Sequence, residues 1–285
     1  MIRLIAFDMD GTLLNEKKKI DLETKKVLER AAACGIILLP ATGRPFCGVS
    51  EELSGLKGLK YILTTNGAGI YDWETGQCIH EDSMPLEQFL PLLERLEPLE
   101  VMSDAFVKGG SYMSEKNMKL IDEMDVSPEI KRYIRNSRTC VVNQTEYLRE
   151  KGDDVEKLTI NFVPDSKGGK RDYDKVVDIL KDFPEFNAVS GGMHNIEVTG
   201  KNISKASGLS WLAHKLGIRR EEIIAFGDSG NDADMLRYAG IGIAMGNAEP
   251  IAIEAADYVT KKNTENGIAW ALKQYMPELF GKDME

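Results

Sequence analysis

The chain has 285 residues, 42% of them hydrophobic and 29% charged, with a formal net charge of −10. That is more than one typical domain and too little for three, in a composition ordinary for a soluble globular protein. The acidic balance excludes a nucleic-acid backbone as the main partner, no apolar run approaches a membrane span, and residues 1–7 are too short to be a signal peptide. Residues 2–7 read as a strand running into Asp8-Met9-Asp10-Gly11-Thr12. Asp21 could cap a helix that runs to about Cys34, with Gly35 as its stop. Residues 36–41 read as the next strand, ending in Thr42-Gly43-Arg44, and residues 60–65 as a third. Strand–helix–strand alternation predicts a doubly wound parallel sheet of the α/β class, a Rossmann-like core.

Residues 84 to 195 read differently. Strand-like pieces near 100–107, 158–163 and 193–199 mix with helical patterns near 85–96, 114–125 and 171–183. Lys108-Gly109-Gly110 and Pro164 to Gly169 read as turns. This is an α+β pattern. The first rhythm then resumes: helix over 204–216, strand over 222–226, helix over 231–239, strand over 241–244, and helices over 249–256 and 265–275. The expected organisation is therefore a core of residues 1–83 and 196–285 with an inserted module of 84–195. Residues 81–86 and 197–202 are the expected hinges.

Three polar clusters follow buried-type strands, and in an open parallel sheet such ends converge on the ligand. At the first, Asp8 and Asp10 repel, and a divalent cation would relieve that repulsion. One carboxylate can attack an electrophile while the other moves a proton. Gly11 allows a turn that aims N–H groups inward. Asp-x-Asp-Gly can also be no more than a turn. The late cluster, Gly227-Asp228-Ser229-Gly230-Asn231-Asp232, lacks the glutamate spacing of an EF-hand calcium loop. Acids for a metal, with Thr42, Arg44 and glycines for an anion, describe metal-assisted phosphoryl transfer.

Asp8-Met9-Asp10-Gly11-Thr12 resembles the first motif of the haloacid dehalogenase-like phosphohydrolases. Thr42-Gly43-Arg44 and Gly227 to Asp232 are similar to the second and fourth motifs of the Cof-type branch. Thr65-Asn66-Gly67-Ala68 and Ala244-Met245-Gly246-Asn247-Ala248 match shorter signatures of that branch. The likeness covers about residues 1–80 and 190–275, and the insertion falls where that branch carries its cap domain. The third motif is a lysine after a Val/Ile-Ser pair at the opening of a helix, which Ile203-Ser204-Lys205 fits better than Lys201.

The resemblance implies a Mg²⁺-dependent phosphatase in which Asp8 is the nucleophile and becomes an aspartyl-phosphate. Asp10 would protonate the leaving oxygen and later activate water. Asp8, the backbone carbonyl of Asp10 and Asp228 would hold the metal, with Asp232 acting through metal-bound water or by orienting Lys205. Thr42, with Gly43 beside it, and Lys205 would bind phosphoryl oxygens. Arg44 would do the same or hold the cap, and Asn231 would trim the site. Sugar phosphates are the implied substrates, with pyridoxal phosphate or nucleotides behind them.

A phosphomutase or phosphotransferase would use the same intermediate. A receiver-like phosphoacceptor signalling domain needs neither the Asp8/Asp10 spacing nor an insertion, and a dead binding protein would not keep every catalytic position filled. The expected partners are a small phosphorylated metabolite, with no nucleic acid and no membrane, in a monomer or weak homodimer. Cysteines 34, 47, 78 and 140 form no C-x-x-C pair and read as free thiols in a reducing cytoplasm, Cys47 as a buried structural one. Asp21, Asp72 and Asp234 read as helix or turn acids.

Overall fold

The computed structural model describes residues 1–190 and 195–279. The chain divides into two compact units. The first comprises Met1–Arg44, Val49–His80 and the segment from Ser204 onward; the second comprises Pro45–Gly48 and Glu81–Ile203. The strands are β1 (Leu4–Asp8), β2 (Ile37–Ala41), β3 (Tyr61–Thr64), β4 (Gly69–Asp72) and β5 (Cys78–Glu81), then β6 (Val101–Val107), β7 (Gly110–Ser114), β8 (Thr139–Val141), β9 (Lys157–Phe162), β10 (Phe186–Ser190) and β11 (Asn195–Gly200), and finally β12 (Ile223–Gly227), β13 (Ile241–Ala244) and β14 (Tyr258–Val259).

The first unit is built on the sheet β14-β13-β12-β1-β2-β3-β4-β5. Strands β14 through β3 are parallel. β1 and its neighbours are apolar at successive positions because both sheet faces are covered. Leu4 and Ala6 pack with Leu209, Leu212 and Met235 of the covering helices, while Ile5 and Phe7 on the opposite face are equally buried. The chain leaves β1 toward β2 and β3 and returns on the other side at β12. The switch point of the sheet therefore lies between β1 and β12. Phe7 pairs with Phe226 and Asp8 with Ala41, so Asp8, Thr42 and Asp228 leave the sheet at the same edge.

β4 runs antiparallel to β3, a departure from an all-parallel sheet. Thr65, Asn66 and Gly67 turn the chain back with φ of 51°, 57° and 107°, too short a connection for a parallel crossover. The helix Leu22–Ala33 starts after Asp21 as expected, but the Asp21 carboxylate accepts from Asn15 Nδ2 at 2.8 Å and makes no cap bond. The expected helix over 231–239 is a 3₁₀ turn, Gly230–Asp232, followed by a helix over Ala233–Tyr238. Asp72 and Asp234 are local acids: Asp72 Oδ1 accepts from Thr75 N and Oγ1 at 2.8 Å, and Asp234 pairs with Arg237 at 3.1 Å.

The second unit carries the sheet β10-β11-β9-β6-β7-β8, antiparallel except between β7 and β8. Helices Leu86–Leu96, Gln144–Lys151 and Tyr173–Leu180 cover one face, where Phe89, Leu93, Leu148 and Val176 pack on Ala105, Leu158 and Val198. Lys108 and Gly109, both at positive φ, make the two-residue β6–β7 turn, and Lys108 pairs with Glu81 at 2.7 Å. Of the residues expected to hinge, 197–200 are ladder residues of β11. Of the strand expected over 193–199, residues 193 and 194 lie outside the described residues. Strands β7, β8 and β10 and the helices Pro128–Ser137 and Gln144–Lys151 were not among the sequence expectations.

The segment Pro45–Gly48 follows directly on Thr42-Gly43-Arg44 yet belongs to the second unit, where Cys47 N donates to Gly109 O at 3.0 Å. Cys47 is exposed rather than buried, its thiol 3.7 Å from Ser137 O, although Pro45 just before its 3₁₀ turn, Phe46–Gly48, and Gly48 at the end of it are buried. All four cysteines are free. Among the described residues, no helix is long and apolar enough to cross a membrane.

Candidate active site

Asp8 closes β1, and Gly11 then turns the chain with φ of 89°. A Cβ on Gly11 would overlap the Asp228 carboxylate, so glycine is what lets the loop after β1 close on the loop after β12. Thr12 Oγ1 donates to Asp228 Oδ1 at 2.7 Å and ties the two loops together. Behind them Asn247 Nδ2 donates to Gly11 O at 2.8 Å, which gives the Gly246-Asn247 signature a structural task.

Lys205 enters from the third segment. Ser204 caps the helix Lys205–Lys215 through a reciprocal pair with Ser207, and this fixes Lys205 in its first turn. Its Nζ donates to Asp8 Oδ1 at 2.5 Å and to Asp232 Oδ1 at 2.6 Å. Lys205 is 1% exposed and Asp232 0%. Burial works against the ammonium, but Asp232 and Asp8 more than offset it and hold the group well above its ordinary range. The second oxygen of Asp232 accepts from the N–H groups of Asp228 at 2.9 Å and Ser229 at 3.0 Å, so one carboxylate orders both the lysine and the fourth loop. Lys201 lies exposed.

Burial pushes the Asp8 carboxyl well above the carboxylate range; Lys205 opposes the rise, and Asp232, Asp228 and Asp10 add to it. Burial also lifts Asp228 to about 6, against the Thr12 hydrogen bond and with Asp232 adding. Among the described residues Asp228 pairs with no cationic side chain. One carboxylate oxygen from each of Asp8, Asp228 and Asp232 can be chosen so that all lie within 4.8 Å of one another. An oxygen-only donor set, buried at Asp8 and Asp232 and half-buried at Asp228, with Lys205 as its one contacting cation among the described residues, fits a hard divalent cation.

The Asp10 carboxylate stands apart from that cluster. Arg44 grips it with two bonds, Nε to Oδ2 at 2.7 Å and Nη2 to Oδ1 at 2.6 Å, and Lys18 Nζ adds a third at 2.5 Å. Burial raises its pKa, but these two cations override it and the carboxyl sits below its ordinary range. Arg44 is itself held by Glu52 at 2.6 Å. Thr42, 1% exposed, accepts from Arg44 N at 3.1 Å across Gly43. Asn66 N donates to Thr42 O at 3.0 Å, and Asn231 Nδ2 donates to Asn66 Oδ1 at 3.2 Å. The structure thus brings Asp8, Asp228, Asp232 and Lys205 into one cluster, sets Asp10 and Arg44 in a second, and links Thr42 to Asn231 through Asn66. Lys18 and Glu52 had no assigned role in the sequence; the run Lys17-Lys18-Lys19 was a visible signal, and Glu52 gave none.

The sequence profile of the haloacid dehalogenase-like hydrolases matches residues 5–272. The chain belongs to that family. This haloacid dehalogenase-like hydrolase is 30% identical to the phosphatase YwpJ of Bacillus subtilis over 293 residues, covering 96% of this chain and 100% of that protein. It is also 30% identical to the 5-amino-6-(5-phospho-D-ribitylamino)uracil phosphatase YcsE of Bacillus subtilis, with 96% of each chain covered. Among solved structures it is similar to the HAD subclass IIB sugar phosphatase BT4131, with a TM-score of 0.78, 26% identity, and coverage of 96% of this chain and 98% of that one. The hydrolase is a phosphatase of the Cof-type, subclass IIB branch, with the α/β architecture of its relatives.

Proposed function

We propose that the enzyme is a Mg²⁺-dependent phosphatase that cleaves a small phosphorylated metabolite, a sugar phosphate, through a phosphorylated Asp8. The observation that carries this reading is the buried contact of Lys205 with both Asp8 and Asp232 at the switch point of the sheet, beside an Asp228 without a cation. Asp8, Asp228 and Asp232, with the main-chain carbonyl of Asp10, would hold the metal, whose charge offsets the repulsion between a phosphate and a carboxylate. Asp8 attacks phosphorus, the bond to the leaving oxygen breaks, and the Asp10 carboxyl gives that oxygen its proton. In the second half Asp10 takes a proton from water, the water oxygen attacks phosphorus, and the bond to Asp8 breaks to release inorganic phosphate. Lys205 and Thr42 bind phosphoryl oxygens, Lys205 as a point charge that also keeps Asp8 aimed.

The clamp of Arg44 and Lys18 keeps Asp10 ionised, which suits the base half of the cycle. The acid half requires Asp10 to gain a proton as a phosphate dianion arrives. The sugar phosphate class is supported by the named activity of the subclass IIB relative, and the inserted second unit is the proposed source of leaving-group selectivity. The test is phosphate release from a panel of sugar phosphates with and without Mg²⁺, together with mass analysis of acid-quenched protein. Turnover that needs Mg²⁺ and a phosphate on Asp8 is expected; turnover with no phosphoprotein in wild type or in slowly hydrolysing variants would overturn the covalent step.

A further inference from the structure

The turn after β1 is built to hold lysines. Asn15 Oδ1 accepts from Lys17 N at 2.9 Å and Lys19 N at 3.2 Å, and Lys18 N donates to Asn15 O at 2.9 Å. Lys18 sits at φ of 55°, an uncommon conformation for a residue with a side chain. Asn15 is in turn fixed to Asp21 at 2.8 Å. These bonds gather three like charges on one tight turn, where Lys18 is met by Asp10 and the exposed Lys17 and Lys19 make no ion pair among the described residues. A fourth lysine, Lys25, comes from the helix Leu22–Ala33. Its Nζ lies against Gly55, where even a Cβ would come within 3.4 Å. Lys17, Lys18, Lys19 and Lys25 line an open cleft of about 380 Å³ with Glu52 and Gly55. Glu52, the one acid of this lining among the described residues, is engaged by Arg44, and Lys18 reaches Asp10. Among the described residues no ion pair forms on Lys17, Lys19 or Lys25. On a chain with net charge −10, this is a local concentration of unneutralised positive charge one side chain away from Asp10.

We propose that this cleft is a second anion subsite, taking an oxyanion, phosphate or carboxylate, so that the preferred substrates carry a second anionic group on the leaving portion. The inference rests on the proposal that Asp10 serves the leaving-group oxygen, because that places the leaving portion beside Lys18. The cluster Asp8, Lys205, Asp228 and Asp232 handles the phosphoryl group being transferred; the lysine cleft handles the far end. A free inorganic anion has the same chemistry and is the other source the cleft could draw on.

The test compares wild-type protein with Lys19→Ala/Lys25→Ala and with Lys19→Arg/Lys25→Arg, neither of which alters a group in contact with Asp10. Equilibrium binding of a hexose bisphosphate and a hexose monophosphate is measured by calorimetry on the full chain, followed by kcat and KM for both and for an aryl phosphate. Loss of the two ammonium groups should weaken bisphosphate binding by about tenfold or more. It should leave the monophosphate and aryl phosphate within about twofold, with the bisphosphate change in KM rather than kcat. The arginine variant should keep bisphosphate binding, which separates charge from damage to the fold. If the free anion is the source, sulfate will change the aryl phosphate rate without competing with substrate, in wild type and not in the alanine variant, while the bisphosphate preference stays equal. Equal bisphosphate-to-monophosphate ratios in all three proteins, with no sulfate effect, overturn the subsite. Absence of turnover in wild type would instead overturn the reading of Asp8 and Asp10, and the binding comparison still decides the cleft.

Discussion

Asp228→Asn should make the metal-free protein more stable while destroying its activity. Burial lifts the Asp228 carboxyl from its ordinary 3.8 to about 6. The folded protein therefore holds a proton at this site between those values, where the unfolded chain has released it. Stability falls as pH rises through that window, because the folded state is the one that binds more protons. Above about pH 6 the full deficit is present, and the difference between 3.8 and about 6 corresponds to about 3 kcal/mol. Partial exposure of Asp228 and ionic screening bring this to about 1–3 kcal/mol. An asparagine keeps the Oδ1 that Thr12 binds and removes the charge. The assay is denaturant unfolding in chelator at about pH 7.5 and pH 4, with each kcal/mol worth about 2–4 °C in a parallel thermal melt. The variant should be the more stable protein at the higher pH, and the gap should close at the lower one. Added Mg²⁺ should stabilise wild type by mass action and the variant far less. A variant equal to or less stable than wild type at pH 7.5 would refute the claim that Asp228 is a half-buried charge without a cationic partner.

Three further outcomes follow from the same cluster. Asp8→Asn should abolish turnover and leave the fold intact, since an amide is a poor nucleophile and one fewer buried carboxylate relieves repulsion; more than a tenth of wild-type activity would remove Asp8 from its role. Chelation should remove activity and restored Mg²⁺ should return it, with Mn²⁺ or Co²⁺ able to substitute; full activity after exhaustive chelation would falsify the metal assignment. Lys205→Met should lower stability by about 3–5 kcal/mol in chelator, because it leaves the buried Asp8 and Asp232 without their cation, and a chemical melt that shows no loss would contradict the contacts at 2.5 and 2.6 Å.

The cluster of acids around Lys205 was legible in the sequence because its members sit at strand ends and at a helix start. Asp8, Thr42 and Asp228 each follow an apolar run, and strand direction alone carries them to one edge. Lys205 was legible through local capping, since Ser204 marks the start of its helix. What the sequence did not disclose depends on contacts between distant segments. The clamp on Asp10 joins Arg44 from the loop after β2 and Lys18 from a turn in a left-handed conformation, and neither follows from a pattern of residue types. The reversal at β4 and the membership of Pro45–Gly48 in the second unit are likewise tertiary facts. Apolar periodicity says that a strand exists, and it says nothing about which neighbour the strand takes.

The segment Thr65-Asn66-Gly67 shows how those distant contacts are held in place. Three successive residues with positive φ include Thr65, whose branched side chain disfavours that region. Such backbone costs of order 1–3 kcal/mol at a non-glycine residue and persists only where its surroundings over-determine it. Here they do. Thr65 N donates to Arg44 O at 3.0 Å, Asn66 N to Thr42 O at 3.0 Å, and the Asn66 side chain accepts from Asn231 at 3.2 Å. A Cβ on Gly67 would overlap Ser204 O, the carbonyl just before Lys205. One strained turn therefore touches the second, third and fourth motif loops at once. A relaxed turn would let β3 continue past Thr64 and carry those contacts away from all three, so the strained conformation and the loops that converge on Asp8 hold each other in place.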